Sequence, residues 1–548
     1  VTAKRFMVAA ANPYATEAGY RILQAGGSAI DAAIAVQMVL TLVEPQSSGI
    51  GGGAFLLHHD GRQVQAYDGR ETAPSAADEN LFQAAGKPMN FHEAVVGGRS
   101  VGAPGVLRML DMAHRAHGRL PWATLFAPAI RLAEEGFEVS PRLSAMLASE
   151  QYLRRDPAAA AYFYDGQGKP WPVGHRLRNP ELAAVLRDIA AGGADAFYLG
   201  QIARDIEAKV RSHPANPGLL TAADIASYRP RLREAVCTDY RRWQVCGMPP
   251  PSSGGIAVAQ MLGILETRDM PALAPAGGMP DAEAVHLFSE AGRLAYADRG
   301  RYVADTDFVP LPGNSVLPLV DKSYLSGRAA LIGERSMGPA KPGIPRARVL
   351  AGGIDQSPEL PSTSHISVVD AQGNALSMTS SIEDAFGSRQ MVRGFLLNNQ
   401  LTDFSFVASD AGGPVANRVQ AGKRPRSSMA PTLVFDRASR KLVLSTGSPG
   451  GSAIINYVAK VLIGTLDWGL DVQQAISLPN FGSRNGPTEL EQGRVGDELA
   501  ARLRARGHEV RMMEQTSGLQ GIMRIDVRGQ EMWFGGADPR REGNVRGD

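Results

Sequence analysis

Apolar and polar positions alternate with helical spacing from Thr16 to Ala25, where Gly26-Gly27 ends the run and Ser28 stands as the cap of a second helix reaching about Val43. That second segment is apolar on nearly every side, which predicts a helix buried all round. After Glu44-Pro45 comes a glycine-rich turn, Gly49 to Phe55, followed by strand patterns near Ala54–His58 and Gln63–Tyr67. From Gly102 to about Asp305 the period is mainly helical, interrupted by a hairpin pattern at 234–248. Thr306 to Leu360 is rich in Pro and Gly with weak periodicity, and reads as an exposed connecting segment. The texture then changes. His365–Asp370 and Ala375–Ser380 flank a turn, and further strands are predicted at Met391–Leu397, Thr432–Phe435, Leu442–Thr446, Gly521–Val527 and Gln530–Phe534. Helices are predicted at Ser452–Leu466, Val472–Ser477 and Asp497–Arg506. Strands with helices packed outside them predict a layered α+β architecture. No internal repeat is visible.

Composition narrows the function classes. Lys and Arg number 57 against 55 Asp and Glu, a formal net charge of +2, which removes the electrostatic footprint of a dedicated nucleic-acid binder. The longest apolar run, Ala32 to Val43, is well short of the roughly 20 residues that a bilayer span requires, so no membrane span is expected. The chain opens on Val1 rather than Met, which leaves N-terminal processing open. Cys237 and Cys246 are the only cysteines. A two-residue loop at Arg241-Arg242 pairs Tyr240 with Trp243 and, in the same register, Cys237 with Cys246. Opposed at a non-hydrogen-bonded position roughly 4.5 Å apart, they lie at the short end of disulfide reach; a bridge and a pair of small buried thiols are both open.

Several familiar chemistries are absent. The turn at Gly49–Gly53 lacks the Gly-Lys-Ser/Thr ending of a P-loop and runs into a strand, so close backbone packing explains it better than a phosphate. No Gly-x-Ser-x-Gly occurs in a strand-turn-helix context. The histidines show no metal-ligand spacing: His58 and His59 are adjacent and point to opposite faces of a strand, and His114 and His117 have no partnering carboxylate motif. Neither a metal nor a cofactor is expected.

What stands out is Pro361-Ser-Thr-Ser-His365, at the junction of the two textures. A Thr at a strand start is ordinarily a β-branched residue in a suitable place. Five ordered islands accompany this one: Gly49 to Phe55, Asp68 to Pro74, Asn398 to Ser405, Lys423 to Met429 and Thr446 to Ser452. Together with His117–Trp122 and Pro249–Gly255, they make the chain resemble the gamma-glutamyltransferase family of N-terminal-nucleophile hydrolases, over essentially its whole length.

The resemblance implies a four-layer αββα sandwich and self-cleavage between Ser362 and Thr363, giving a large subunit 1–362 and a small subunit 363–548 that together form one folded unit. Cleavage would free a Thr363 α-amine with a reference pKa of about 7.7–8.0, so one residue would supply both nucleophile and base. By the same resemblance Ser381 orients Thr363, and the N–H groups of Gly450 and Gly451 form an oxyanion hole. Arg70 grips a substrate α-carboxylate with Ser427 and Ser428, and Asp403 with Gln400 receives the α-ammonium. Glu383 stands where many members have Asn. The segment 406–422, a lid in some members, looks short, which suggests an open site. The expected activity is transfer of a γ-glutamyl group from glutathione, glutamine or a related amide to water, an amine or an amino acid, in the periplasm or outside the cell. The alternatives are a glutaryl-type cephalosporin acylase on the same fold and a non-catalytic amino-acid-binding homologue.

Overall fold

The computed structural model describes residues 1–349 and 352–548 of a single uncleaved chain. Two seven-stranded sheets form its centre. In the first, Asn544–Gly547, Met7–Ala10, Ser364–Val369, Ala375–Ser381, Gly53–His59, Val64–Gly69 and Arg231–Glu234 lie side by side in that order. In the second, the order is Thr2–Ala3, Gln530–Ala537, Gln520–Val527, Leu442–Gly447, Thr432–Asp436, Trp243–Gly247 and Val236–Tyr240. Every pairing in both sheets is antiparallel.

The facing surfaces of the sheets meet through small and hydroxylated side chains. Ser377 donates to the Thr446 carbonyl at 2.9 Å and Ser445 to that of Leu376 at 2.8 Å. Such short side chains let two backbones approach closely, and the hydroxyls of Ser377 and Ser445 are satisfied across the interface. Helices cover the outer faces. Pro13–Gln24 and Ala29–Val43 pack on the first sheet, whereas Gly254–Leu265 and Ile454–Leu466 pack against the second. The result is the αββα sandwich.

Local sequence explains the first helical pair. Ser28 and Asp31 form a reciprocal capping box, and all fifteen residues of Ala29–Val43 are buried. Asp31 Oδ2 also accepts the N–H groups of Arg119 and Leu120, which ties the His117–Trp122 island to this cap.

The hairpin register is as counted, Cys237 opposite Cys246, and the two sulfurs are bonded with Cα atoms 4.0 Å apart. Met391–Leu397, expected as one strand, is instead a tight hairpin of Met391–Val392 with Phe395–Leu396, turning at Arg393-Gly394. The expectation of an exposed connection at 306–360 also needs correcting. Helices occur at Leu317–Val320 and Lys322–Ala329, and the stretch from Asp355 to Leu360 runs into the molecule, where Asp355 and Glu359 are buried. None of the helices among the described residues is long and apolar enough to cross a membrane.

Candidate active site

Thr363 directly precedes the strand Ser364–Val369 of the first sheet, and Ser381 ends the neighbouring strand. Thr363 Oγ1 donates to Ser381 Oγ at 2.9 Å, and Ser381 Oγ accepts the Glu383 N–H at the same distance. The glycine-rich turn earns its composition here, because a Cβ on Gly52 would run into the Ser381 carbonyl. Arg541, from the C-terminal segment, donates Nη1 to the Thr363 carbonyl at 3.0 Å, and Ser362 Oγ donates to the Gln46 carbonyl at 2.8 Å. Thr363 itself has φ +91°, a conformation that a β-branched residue adopts only under strain.

Gly450 and Gly451 belong to the turn that opens the helix Ile454–Leu466, with φ +139° and +59°. A Cβ on Gly450 would lie 2.5 Å from the Tyr457 ring, and one on Gly451 2.6 and 2.7 Å from the carbonyls of Glu359 and Leu360. Glycine is thus required sterically as well as conformationally, and the chain before Thr363 runs directly over this turn.

Arg70 follows the strand Val64–Gly69 and is fully buried. Its Nε donates to the Pro425 carbonyl at 3.0 Å, and Nη2 donates to Asp403 Oδ2 and the Arg426 carbonyl, both at 2.6 Å. Neighbouring carboxylates do not claim it. Asp68 pairs with Arg233 at 2.7 Å, and burial pushes the Glu71 carboxyl up to about 8, so that acid is largely neutral at pH 7. Gln400 Nε2 also donates to Asp403 Oδ2, at 2.8 Å. Burial pushes Asp403 up to about 6 against the opposing pull of Arg70. Three atoms of this group have no protein partner: Arg70 Nη1, Asp403 Oδ1 and Gln400 Oε1. They give one cationic donor and two acceptors, at residues lining one cavity.

Ser427 and Ser428 complete the wall. Ser427 Oγ accepts the Met429 N–H, which leaves its hydroxyl proton for donation, and Ser428 Oγ accepts Arg299 Nη2 at 2.6 Å with its hydroxyl beside the Glu359 carboxylate. The Pro249–Gly255 island buttresses this turn, with Ser253 donating both N–H and Oγ–H to the Ser427 carbonyl at 2.7 Å.

Glu383, at φ +77°, accepts the Leu360 N–H at 3.2 Å on one oxygen and Asn399 Nδ2 on the other. Burial, with Asp403 and Asp384 close by, raises its carboxyl well above the usual range.

Three participants carry no local motif. Glu359, which lines the same cavity, pairs with Arg299. Burial opposes its ionisation, yet Arg299 and Arg426 hold the carboxyl below its ordinary value. Asp355, four residues earlier, meets Arg426 at 2.8 Å. Arg299, Arg541 and Glu359 are brought in from helix, tail and connection, and nothing in their sequence spacing announces them. With Glu359 and Leu360 in place the cavity holds about 20 Å³, room for about one water.

A second polar cluster lies elsewhere. Ligand atoms of His286, Glu290 and His508 converge within 4.8 Å of one another. Both imidazoles are already committed. His286 Nε2 donates to the Gly333 carbonyl, its Nδ1 accepts from His508 Nε2, and His508 Nδ1 accepts from Thr488 Oγ1, at 2.7–2.8 Å throughout. Glu290 is paired with Arg293 at 3.0 Å, so the donor set is spent on internal bonds. Sequence spacing missed this pair because 222 residues separate the two histidines.

The sequence model of the family described as Gamma-glutamyltranspeptidase matches residues 15–547. The chain belongs to that family. Among gamma-glutamyltranspeptidase relatives, the glutathione hydrolase proenzyme of Escherichia coli (strain K12) is 36% identical over 554 residues, covering 98% of this chain and 91% of that one. The acylase ACY 1 proenzyme of Pseudomonas sp. (strain V22) is 37% identical over 530 residues, covering 94% and 89%. The crystal structure of cephalosporin acylase from Bacillus halodurans superposes with a TM-score of 0.86 at 28% identity, covering 100% of this chain and 96% of that one.

Proposed function

We propose that the protein is a self-cleaving γ-glutamyl hydrolase and transpeptidase. The observation that carries this reading is the trio of unpartnered atoms on Arg70, Asp403 and Gln400. A buried donor or acceptor without a partner costs about 1–3 kcal/mol, and an α-amino acid head supplies what each lacks. Its carboxylate takes Arg70 Nη1 and the hydroxyls of Ser427 and Ser428. Its ammonium donates to Asp403 Oδ1 and Gln400 Oε1.

In the uncleaved chain Thr363 nitrogen is an amide and cannot act as a base. Attack of Thr363 Oγ1 on the Ser362 carbonyl forms a C–O bond as the C–N bond breaks. The freed nitrogen takes the proton, and water then hydrolyses the resulting ester. Strained backbone of the kind at Thr363 stores about 1–3 kcal/mol, which cleavage releases. The products are subunits 1–362 and 363–548, held together in one fold.

In the mature enzyme the Thr363 α-amine takes the proton of Oγ1 as that oxygen attacks the γ-amide. The N–H groups of Gly450 and Gly451 receive the oxyanion, and losing one such donor costs roughly 10²–10³ in rate. Glutathione, glutamine or a related amide donates the acyl group, and water, an amine or an amino acid accepts it. The family setting supports a periplasmic or secreted location.

A glutaryl acylase is the second reading, favoured by the acylase names of two of the relatives above. A glutaryl chain has no α-ammonium, and would leave Asp403 Oδ1 and Gln400 Oε1 unpaired. Comparing γ-glutamyl with glutaryl anilides decides between them: faster glutaryl turnover overturns the proposal. Denaturing electrophoresis tests the cleavage step, since a persistent single band near 58 kDa would mean an inert precursor or a non-catalytic homologue.

A further inference from the structure

A groove of about 840 Å³, within the range of sites that take small molecules, opens between the two sheets at the end of the sandwich remote from Thr363. The strand Ala375–Ser381 fixes that placement. Ser381 lies opposite Gly53 at the active-site end, and Ala375 opposite His59 at the groove, about 20 Å away along the strand. His59 and Val64 of the first sheet face Phe435, Gln244 and the Cys237–Cys246 disulfide of the second, and the His59 and Phe435 rings meet across the gap at 4.8 Å. Cys246 sits opposite Leu433, and Leu433 opposite Ser445, whose hydroxyl reaches the first sheet at the Leu376 carbonyl. Directly paired residues share a face, so the disulfide points into the gap between the sheets.

The two sulfurs are not equivalent. Val236–Tyr240 is the last strand of its sheet, so no further strand lies beyond Cys237, which is exposed. Cys246 is fully buried, with Leu433 of the next strand directly behind it. Thiol–disulfide exchange proceeds by attack in line with the S–S bond, and access decides which sulfur is taken. Only Cys237 is open to that approach, and Cys246 is then the leaving group.

The charges of the groove specify what approaches. Asp239 pairs with Arg437 at 3.0 Å and Asp436 with Arg242 at 3.4 Å. Asp60, two residues before Arg62, is turned back on the N–H groups of Arg62 and Gln63. Burial lowers the His59 imidazole below its ordinary value and keeps it largely neutral at pH 7. Arg62, Arg440 and Glu234 remain, all exposed and without an ion-pair partner among the described residues. Two cations and one anion complement a ligand that carries two carboxylates and one ammonium.

We propose that this groove is a thiol-exchange site, at which a small acidic thiol peptide with the charges of glutathione forms a mixed disulfide with Cys237. The inference does not depend on the γ-glutamyl reading, because the exchange uses the peptide's thiol and leaves its amides intact. The peptide thiolate attacks Cys237 Sγ. A new S–S bond forms as the Cys237–Cys246 bond breaks, and the electron pair leaves on Cys246 Sγ, which takes up a proton. A second thiol attacking the adduct releases the peptide as its own disulfide and leaves both cysteines reduced, the two electrons gained by the protein being those lost by the two thiols.

The test uses the full chain carrying Thr363→Ala, so that glutathione is not consumed. Incubation with glutathione, quenching with N-ethylmaleimide and peptide mass spectrometry should find glutathione on Cys237 and maleimide on Cys246. Because the paired thiols can reclose, Cys246→Ser and Cys237→Ser chains are also treated with glutathione disulfide, and the Cys237 thiol should react at least about tenfold faster than the Cys246 thiol. The charge pattern is read in the Cys246→Ser chain as the ratio of its rate with glutathione disulfide to its rate with uncharged hydroxyethyl disulfide. Reversal of an exposed charge, in Arg62→Glu or Arg440→Glu, should lower this ratio about twofold to fivefold, whereas Arg511→Glu, an exposed residue outside the groove, should not. Glutathione found on Cys246 in the two-cysteine chain, a Cys237 thiol no faster than that of Cys246, or a ratio that neither reversal moves overturns the site.

Discussion

The hydroxyls of Thr363 and Ser381 lie 2.9 Å apart at the ends of two adjacent strands, and Ser381 is itself oriented by the N–H of Glu383. This short chain aims the Thr363 hydroxyl before any substrate binds. A hydrogen bond of this kind contributes about 1 kcal/mol, so Ser381→Ala should slow both chain cleavage and anilide turnover about fivefold to tenfold. Thr363→Ala should abolish both. Timed electrophoresis and initial rates measure the two effects, and a Ser381→Ala protein that matures at the wild-type rate would remove Ser381 from the mechanism.

Asp403 gives the sharpest test of substrate class. Asp403→Asn preserves the shape of the side chain and removes the charge that receives an ammonium. Breaking a buried charge pair costs 2–5 kcal/mol, which sets a loss in kcat/KM of about 30-fold or more for γ-glutamyl anilide. Glutaryl anilide, which lacks the ammonium, should lose far less. The pH dependence has a definite sign. Asp403, pushed up to about 6 by burial, binds an ammonium only when ionised, so γ-glutamyl kcat/KM falls as pH drops through about 6. Equal losses on the two anilides would refute the assignment.

Much of this candidate site is legible in the sequence through the family resemblance, which rests on short islands that each carry their own local geometry. Arg70 directly follows a strand, Gln400–Asp403 is a single helical turn, and Gly450-Gly451 opens a helix. The hairpin at Cys237 and Cys246 is legible for the same reason, since a two-residue turn fixes the register. Glu359, Arg299 and Arg541 escape notice because their roles arise from tertiary packing: a connection, a helix and the C-terminal segment converge on Thr363 from 4, 64 and 178 residues away. The misreading of 306–360 has the same origin. Pro and Gly mark it as irregular, which it largely is, but irregular backbone is not always exposed, and two buried ion pairs draw its last turn inward.

Glu383 adopts φ +77°, in a region that Asn tolerates better than Glu. Its carboxyl is raised well above the usual range by burial and by the nearby Asp403 and Asp384. Glu383→Asn therefore relieves strain and removes a buried acid at once. In a Thr363→Ala background, which keeps the chain uncleaved, this exchange should raise the unfolding temperature by about 1 °C, from about 1 kcal/mol of relieved strain. Differential scanning fluorimetry reads the change, and a lowered unfolding temperature would show that the bonds to Leu360 and Asn399 outweigh the strain.

His508 gives the fold a calculable sensitivity to acid. The carbonyl of Gly333 obliges His286 Nε2 to donate, so in the neutral chain His286 Nδ1 accepts, His508 Nε2 donates, and His508 Nδ1 accepts from Thr488. A proton on His508 Nδ1 breaks this order and places charge near Arg293, whose Nη2 is 3.1 Å from Thr488 Oγ1. Burial, followed by the influence of His286 and Arg293, accordingly lowers His508 to about 4. A pKa depressed in the folded state means that the unfolded chain takes up the proton first. Stability is then complete above about 6.5 and is lost as pH falls from about 6.5 toward 4, at up to about 1.4 kcal/mol per pH unit for this one group. Buried His58 and His365, both lowered to about 3, add to the same slope. His508→Gln should lower stability at pH 7.5 by breaking the chain of hydrogen bonds, yet lose less on going to pH 4.5 than the parent does. Unfolding temperatures of the Thr363→Ala precursor with and without this substitution measure both effects, and parallel curves would show that His508 does not titrate in that window.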